Sequence, residues 1–447
     1  MARKPANAAR LAELPVHTGP GTPGGDLLRR YWQPVALSSD VLEGGAPLPL
    51  KIMSEDLVLF RGGDGRVGLL ALRCSHRQAD LSYGRVEDGG LRCVYHGWLF
   101  DTTGACLQQP GEPEGGAHRD RIRQVSYPCV ERGGAVWTYM GPGEAPLFPA
   151  YPAINAPEEF RFAHRWHSNC NYLQGNEGNI DPVHTSYLHS FKPEEESRHD
   201  ALKTGVTQDI FGVDTAPTLS LRDVRWGLRL LTERRIPENG KTLLRVTNFV
   251  MPNGCAIGGA ETPFGTGGAS MFWHVPIDDT SHYRMEFTFH SKAPLPKAVM
   301  EARYRDEMDE KGMPKRNPAN RYMQDREAMH RSYIGMGRSF PSHDLFITES
   351  QGAIIDRSAE NLATSDIAIV RSRRLLLQAL EDIRAGRDPL GVDRDAARND
   401  YRDLLVLTET IEADADVDAY LTTMEAKDIY RLDRERVQPG RATAPAA

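Results

Sequence analysis

Two short Cys/His loops restrict this chain more than anything else in its sequence. Cys74, His76, Cys93 and His96 stand in the segment CSHRQADLSYGRVEDGGLRCVYHGW as C-x-H, a sixteen-residue gap and C-x2-H. Any fold the chain adopts has to bring those two loops face to face. Two thiolates and two imidazoles in this order fit a [2Fe–2S] centre in which one iron takes both Cys and the other both His. Structural zinc also takes Cys2His2, but familiar zinc fingers and ribbons group Cys with Cys and His with His, whereas each loop here offers one of each. A lone Cys or His is usually a core residue, and two tight mixed pairs argue against that blander reading. Gly97 follows His96 and is expected to let the backbone approach the cluster, while Gly84 and Gly89-Gly90 supply turns between the loops.

The second constraint lies in NCNYLQGNEGNIDPVHTSYLHS, where Asp181, His184 and His189 form D-x2-H-x4-H. Two His with a more distant carboxylate make the ligand set of a non-haem Fe(II) oxygenase, which keeps positions open for O2. A step of five residues on an ideal helix rotates about 500°, leaving the two His roughly 140° apart. They meet at one ion only if the helix is interrupted. Pro182 supplies the interruption, since it lacks an N–H and would clash with the Gly178 carbonyl inside a helix. Gly175 and Gly178 loosen the same stretch, so a broken or bulged helix is expected. Asp181 sits one turn before His184 and reads as the carboxylate that orients its ring, not as a metal ligand. The plainer alternative is a helix-capping Asp before Pro182.

The 447 residues allow two or three domains. A balance of 54 basic to 61 acidic residues, without a basic block, argues against nucleic acid as a partner. The first residues contain no apolar signal core, and no run of about 18 apolar residues occurs, so a cytoplasmic protein without a membrane span is expected. Of the six Cys, the four outside the motif read as free thiols. We expect an extended arm over 1–25, an all-β domain over 26–145, a catalytic domain over 146–435 and a disordered tail over 436–447. LVLFRGGDGRVGLLALR reads as a hairpin across residues 62–65, and GAVWTYMG as a closing strand. The polar stretch from Lys192 to about Pro217 reads as a lid or inserted loop. Further strands fall in WGLRLLTERRI, KTLLRVTNFVMP, ASMFWHVPI and HYRMEFTFH, and the C-terminal third reads as helical, with Ser365–Ala385 at helical spacing.

Taken together, the cluster motif and N-x2-Q-x2-E-x3-D-x2-H-x4-H (Asn171, Gln174, Glu177, Asp181, His184, His189) resemble the oxygenase α subunits of Rieske non-haem iron oxygenases. ESQGAIIDRSAENLATSDIAI adds a likeness to the phthalate dioxygenase-like branch, and the resemblance covers about residues 26–385. It implies an α+β protein: an N-terminal all-β Rieske [2Fe-2S] domain, then a catalytic domain whose curved antiparallel sheet grips helices. It implies one [2Fe-2S] cluster on Cys74, His76, Cys93 and His96, one mononuclear Fe(II), and O2 as co-substrate. It carries the third iron ligand to Asp344 in FPSHDLFITESQG, with Asp356 and Glu349 as alternatives and a simple turn acid as the bland reading of Asp344. Its partners would be a flavin/iron-sulfur reductase that passes on electrons from NAD(P)H, and further copies of the chain in a head-to-tail homotrimer or a hexamer of stacked trimers. Asp181 would bridge His96 of one chain to His184 of the next. Respiratory Rieske proteins have a Ser where Trp98 stands here, and with fewer hydrogen bonds to sulfur a potential toward the low end of the Rieske range is expected.

The expected reaction is hydroxylation of a small aromatic substrate. Likeness to the phthalate branch favours an aryl carboxylate, with aryl-ether O-demethylation second and a non-catalytic Rieske electron-transfer protein as the reading from another class. Trp273, Phe249, Phe272 and Phe287 are candidates to line an aromatic-sized pocket or to sit in the core. Arg245 and Arg229 are candidates to clamp a carboxylate, against the commoner fate of a strand Arg as a solvated surface residue.

Overall fold

The computed structural model describes residues 14–190, 214–258 and 268–430, except positions 88, 118, 238, 331, 338 and 428. The expected lid over 192–217 and tail over 436–447 fall largely or wholly outside these residues.

Between residues 33 and 138 the chain is all β. The hairpin expected across residues 62–65 forms between Glu55–Arg61 and Val67–Ala71, within a four-stranded sheet that also holds Leu48–Ile52 and Ser126–Tyr127. A second four-stranded sheet is built from very short strands, Arg85–Glu87, Gly90–Arg92, Leu99–Asp101 and Cys106–Gln108, and the second Cys/His loop joins its middle pair. Ala135–Thr138 closes a three-stranded sheet with Gln33–Leu37 and Cys129–Arg132. A small core of Phe60, Leu70, Leu81, Leu91 and Phe100 packs beneath both cluster Cys.

The catalytic part is an eight-stranded antiparallel sheet. From one edge it runs Arg161–Ser168, His282–His290, Gly268–Pro276, Gly254–Ile257, Lys241–Val250, Gly227–Ile236 and Thr218–Val224, with Leu407–Glu412 added alongside the first half of Lys241–Val250. The four strands expected here pair as two hairpins, Gly227–Ile236 with Lys241–Val250 and Gly268–Pro276 with His282–His290. The registers Thr232↔Arg245, Thr247↔Ile257, Ile257↔Ser270 and Phe272↔Glu286 place Arg245, Thr247, Ile257, Ser270, Phe272 and Glu286 on one face, since paired residues share a side and neighbours alternate. On that face lies the helix Tyr172–Asn179, in contact with Gly268–Pro276 and with the helix Phe340–Ser350. The opposite face carries Met271, Trp273 and Phe287 into a core continuous with the N-terminal sheets.

Two expectations need correction. Residues 14–25 are not simply an extended arm: Leu14 is buried, Tyr172 Oη donates to Pro15 O, and a helix starts at Pro23. Nor is the C-terminal third mainly helical. Ile367–Arg384 is a helix of 18 residues whose buried face includes Ala368, Ser372, Leu376 and Leu380, but much of the remainder is loop, and Leu407–Glu412 joins the sheet. The strand's short alternation was hidden in a polar context. None of the described helices is long and apolar enough to cross a membrane.

Candidate active site

The two Cys/His loops meet as their pattern requires. Cys74 and Cys93 are buried while His76 and His96 are half-exposed, their ring centroids 4.6 Å apart. Burial, followed by the nearby Cys93 thiol, pushes the Cys74 thiol up to about 11. Four ligands of one tetrahedral zinc would lie within about 4 Å of each other. Among the described residues these four do not converge so tightly on one point. A two-iron cluster, with Cys on the inner iron and His on the outer, suits the arrangement better. Gln124 braces the first loop: its Nε2 donates to Ala71 O and Arg73 O, both 2.8 Å, and its Oε1 accepts from Ser75 N at 2.8 Å. Arg92 donates to Gly97 O at 2.8 Å and braces the second. Trp98 stacks flat on His76, with centroids 4.3 Å apart. Gly97 has φ +76°, and a Cβ there would lie 2.7 Å from Pro110 Cγ, so its conformation and Pro110 explain the glycine.

The helix Tyr172–Asn179 stops before Pro182, and His184 begins a separate turn at His184–Ser186. That break lets two His five residues apart face one point. His184 and His189 have ring centroids 5.1 Å apart, and Asp344 Oδ1 lies 3.1 Å from His189 Nε2 and 3.7 Å from His184 Nε2. Ligand atoms of all three fall within 4.8 Å of one another. Two neutral imidazoles and a carboxylate with an open side fit a mononuclear iron. Burial raises the Asp344 carboxyl, but the facing His189 and Arg284 outweigh it and hold the group well below the usual carboxylate range. Asp344 stands inside the helix Phe340–Ser350, not in a turn. The alternatives are engaged elsewhere: Glu349 accepts from Asn169 N and Tyr322 Oη, and Asp356 caps Ser358 on the surface. Asp181 Oδ1 accepts from the amides of Val183 and His184, and its Oδ2 lies 3.8 Å from His184 Nδ1. The capping contacts are made, whereas the 3.8 Å approach to the His184 ring is longer than a hydrogen bond, so Asp181 stands beside the ring without bonding it in this chain.

A cavity opens on the triad, walled by Thr247, Ile257, Ser270 and Phe272 from the sheet and by Asn179 and Phe340 from the helices. Arg245 reaches it. Burial first, then the charge of Arg234, lowers the Arg245 guanidinium to about 10. Other substrate candidates lie elsewhere. Trp273 is one residue out of phase with Phe272 and packs on the far face against Trp137, centroids 4.9 Å apart. Phe287 faces the same way, at 5.3 Å from Trp137. Phe249 shares Arg245's face but lies in the core, away from the cavity. Arg229 is likewise out of phase, and clamps Glu425 and the Asp403 carbonyl instead of a ligand.

Three residues with no local sequence signal complete the site. Arg284 donates to Asp344 Oδ2 at 3.3 Å and to Glu286 at 3.0 Å, which leaves Asp344 Oδ1 turned toward the imidazoles. Arg234, fully buried, donates to Pro182 O at 2.6 Å and fixes the break between the two His. His343 Nδ1 lies 3.1 Å from His189 Nδ1, and its Nε2 lies 3.1 Å from Gly337 O. A carbonyl only accepts, so His343 carries its proton on Nε2, His189 donates from Nδ1, and His189 Nε2 is left bare toward Asp344.

Residues 31–128 match the Rieske [2Fe-2S] domain family, and residues 138–437 match the family of LigXa C-terminal domain-like sequences. The chain is 34% identical over 385 residues to the phthalate 4,5-dioxygenase oxygenase subunit of Pseudomonas putida, covering 84% of this chain and 86% of that one. It is 36% identical to the phenoxybenzoate dioxygenase α subunit of Ectopseudomonas oleovorans, covering 83% and 85%. It is 34% identical to the 5,5'-dehydrodivanillate O-demethylase oxygenase subunit of Sphingobium sp., covering 85% and 82%. Among solved structures, dicamba monooxygenase bound to dicamba superposes with a TM-score of 0.56 at 19% identity, covering 81% of this chain and all of that one.

Proposed function

The chain belongs to the Rieske non-haem iron oxygenases, as a terminal oxygenase that incorporates O2, and from that premise we propose that its substrate is an aryl carboxylate held through Arg245. The observation that carries this is the half-buried Arg245 guanidinium in the wall of the cavity that opens on His184, His189 and Asp344. A carboxylate reaching Arg245 gains a charge-assisted pair at the cavity wall, and the bidentate geometry of such a pair fixes the ring's direction. The relatives named for phthalate and phenoxybenzoate act on aryl carboxylates, which agrees with that pairing.

His184, His189 and Asp344 are the proposed holders of the mononuclear iron, which when bound supplies the O2 activation the family's reaction needs. Arg284 keeps Asp344 charged and aimed, and His343 keeps His189 in its ligating tautomer. Phe340, Phe272 and Ile257 exclude water from the ring's surroundings. Electrons are proposed to come from NAD(P)H through a flavin/iron-sulfur reductase to the cluster. In a head-to-tail homotrimer, or a hexamer of two such rings, Asp181 would join His96 of one chain to His184 of its neighbour. Its Oδ2, which lies 3.8 Å from His184 Nδ1 while Oδ1 is taken by the backbone amides, supports that role.

A second reading, O-demethylation of an aryl methyl ether, is favoured by the 34% identity to an O-demethylase oxygenase subunit. The test is turnover of a panel of aryl carboxylates and aryl methyl ethers with a generic reductase, scored by product mass. A gain of two oxygens and two hydrogens, or of one oxygen, on a carboxylate supports the first reading, and loss of a methylene supports the second. Arg245→Met is expected to raise KM for the carboxylate about 10- to 100-fold, as loss of a charge-assisted pair does. No oxidation of any carboxylate, or an unchanged KM in that variant, overturns the assignment.

A further inference from the structure

Asn179, the last residue of the helix Tyr172–Asn179, lines the cavity beside the triad, and behind it lie two buried histidines that the reaction described above does not use. His282 Nδ1 is 2.8 Å from the backbone oxygen of Cys170, His282 Nε2 is 2.9 Å from His274 Nδ1, and His274 Nε2 is 2.8 Å from the Asn179 amide nitrogen. The polarity of this row is set from its far end. A backbone carbonyl accepts and never donates, so His282 carries its proton on Nδ1. A neutral His282 then offers a lone pair at Nε2, which takes the proton on His274 Nδ1. His274 Nε2 is left as an acceptor, and it requires the NH2 side of Asn179. The reversed amide would force one imidazole to carry two protons. Both rings are buried, and burial lowers His282 to about 4 and His274 well below the ordinary histidine value, which keeps them neutral. Cys255 Sγ, 3.2 Å from the same amide nitrogen, is a second acceptor on that side. Asn179 Oδ1 accepts no hydrogen bond among the described residues.

Gly175 belongs to this device. A Cβ at Gly175 would stand 2.5 Å from His274 Nδ1 and 2.8 Å from His282 Nε2, so a bare helix surface is needed for the rings to lie against it.

We propose that the His282–His274 row holds the Asn179 amide with its oxygen facing the cavity, making Asn179 a specificity residue that accepts a hydrogen bond from an O–H or N–H donor on the substrate. The inference deepens the functional reading, since it rests on this cavity being the substrate site. Its consequence is a preference for donor-bearing rings, such as phenols, over their capped counterparts. A fixed acceptor discriminates because it loses its partner when the donor is methylated.

The test uses the iron-loaded protein with phenol and anisole, which carry no carboxylate and so do not depend on Arg245. Calorimetric titration is expected to show phenol binding about tenfold tighter than anisole. In Asn179→Leu the two are expected to agree within about twofold, and Gly175→Ala, which displaces the rings, is expected to erode the preference as well. Nitrogen-15 NMR of histidine-labelled protein is expected to show both buried rings protonated on Nδ1. A wild-type protein that binds phenol no better than anisole, a preference surviving in Asn179→Leu, or a buried ring protonated only on Nε2 would each overturn the proposal. If the phenol preference holds while benzoate fails to bind, the aryl-carboxylate reading falls and this one stands.

Discussion

At the scale of single residues, the site depends on groups that fix protons and faces. His343 is the clearest case. Its Nε2 points at Gly337 O and its Nδ1 at His189, so it forces His189 to present a bare Nε2 toward Asp344. Outer partners of this kind typically contribute 10- to 100-fold in metal affinity. His343→Leu is therefore expected to weaken cobalt(II) binding at the triad by about that factor with the cluster absorbance unchanged. An unaltered affinity would show that His189 is held by packing alone. The same scale explains which substrate candidates failed. Phe272 and Trp273 are adjacent, both aromatic and both buried, yet one faces the cavity and the other Trp137. The alternation was legible in the sequence, but its phase was not, because phase is set by register against strands elsewhere in the chain.

At the scale of elements, the helix Tyr172–Asn179 is held from both sides. Its N-cap, Asn171, donates to Val16 O and Asp279 O, and its buried Glu177 accepts from Arg373 Nε at 2.6 Å and Arg373 Nη2 at 2.9 Å. Arg357 adds a third contact at 3.2 Å, and Arg373 also grips Glu360. The interruption of this helix was readable from Pro182 and the five-residue His spacing. Glu177 was readable only as a motif position, because its partner Arg373 lies 196 residues away. Removing one member of a buried charge network leaves another uncompensated, at a cost of about 3–5 kcal/mol. Arg373→Met is expected to destabilise the protein by that amount in urea at pH 7. For Glu177 burial acts upward, but Arg357 and Arg373 outweigh it and lower its pKa on folding, and Glu286 is similarly held at about 2 by His164 and Arg284 against its own burial. A carboxyl with a depressed folded pKa contributes stability that is present above its unfolded value and lost as pH falls through the folded one. Stability should then decline as pH drops from about 4.5 toward 2, with a shallower decline in Arg373→Met, where Glu177 has lost its main partner. Equal acid slopes in the two proteins would place the acid sensitivity elsewhere.

At the scale of the whole molecule, the N-terminal sheets and the catalytic sheet share one core. Trp137, on the closing strand of the first, lies 4.9 Å from Trp273 and 5.3 Å from Phe287, both on the far face of the second. The sequence made the two parts legible separately, through hairpin signals and the Cys/His loops, with the Pro- and Gly-rich stretch PGEAPLFPAYPAINAP at 142–157 as the connection between them. It did not show that this connection is itself built in, with Tyr151, Ala153 and Ile154 buried and the Tyr151 ring 5.7 Å from Trp273. Pro and Gly mark where a chain turns, and they say nothing of what the turn packs against. A large protein in two parts ordinarily unfolds in more than one step. The shared core argues for coupling here, because neither part can open without exposing aromatic surface of the other. Calorimetry of the intact protein is expected to show one principal transition. Trp137→Ala removes the central ring of the joint, at a cost of about 3–5 kcal/mol for a fully buried aromatic. It is expected to separate the transition into two, with the part bearing the catalytic sheet retaining its own cooperative unfolding. A wild-type protein that already unfolds in two well-resolved steps, or a variant that keeps one sharp transition at an unchanged temperature, would mean that the halves are joined by the chain and not by their packing.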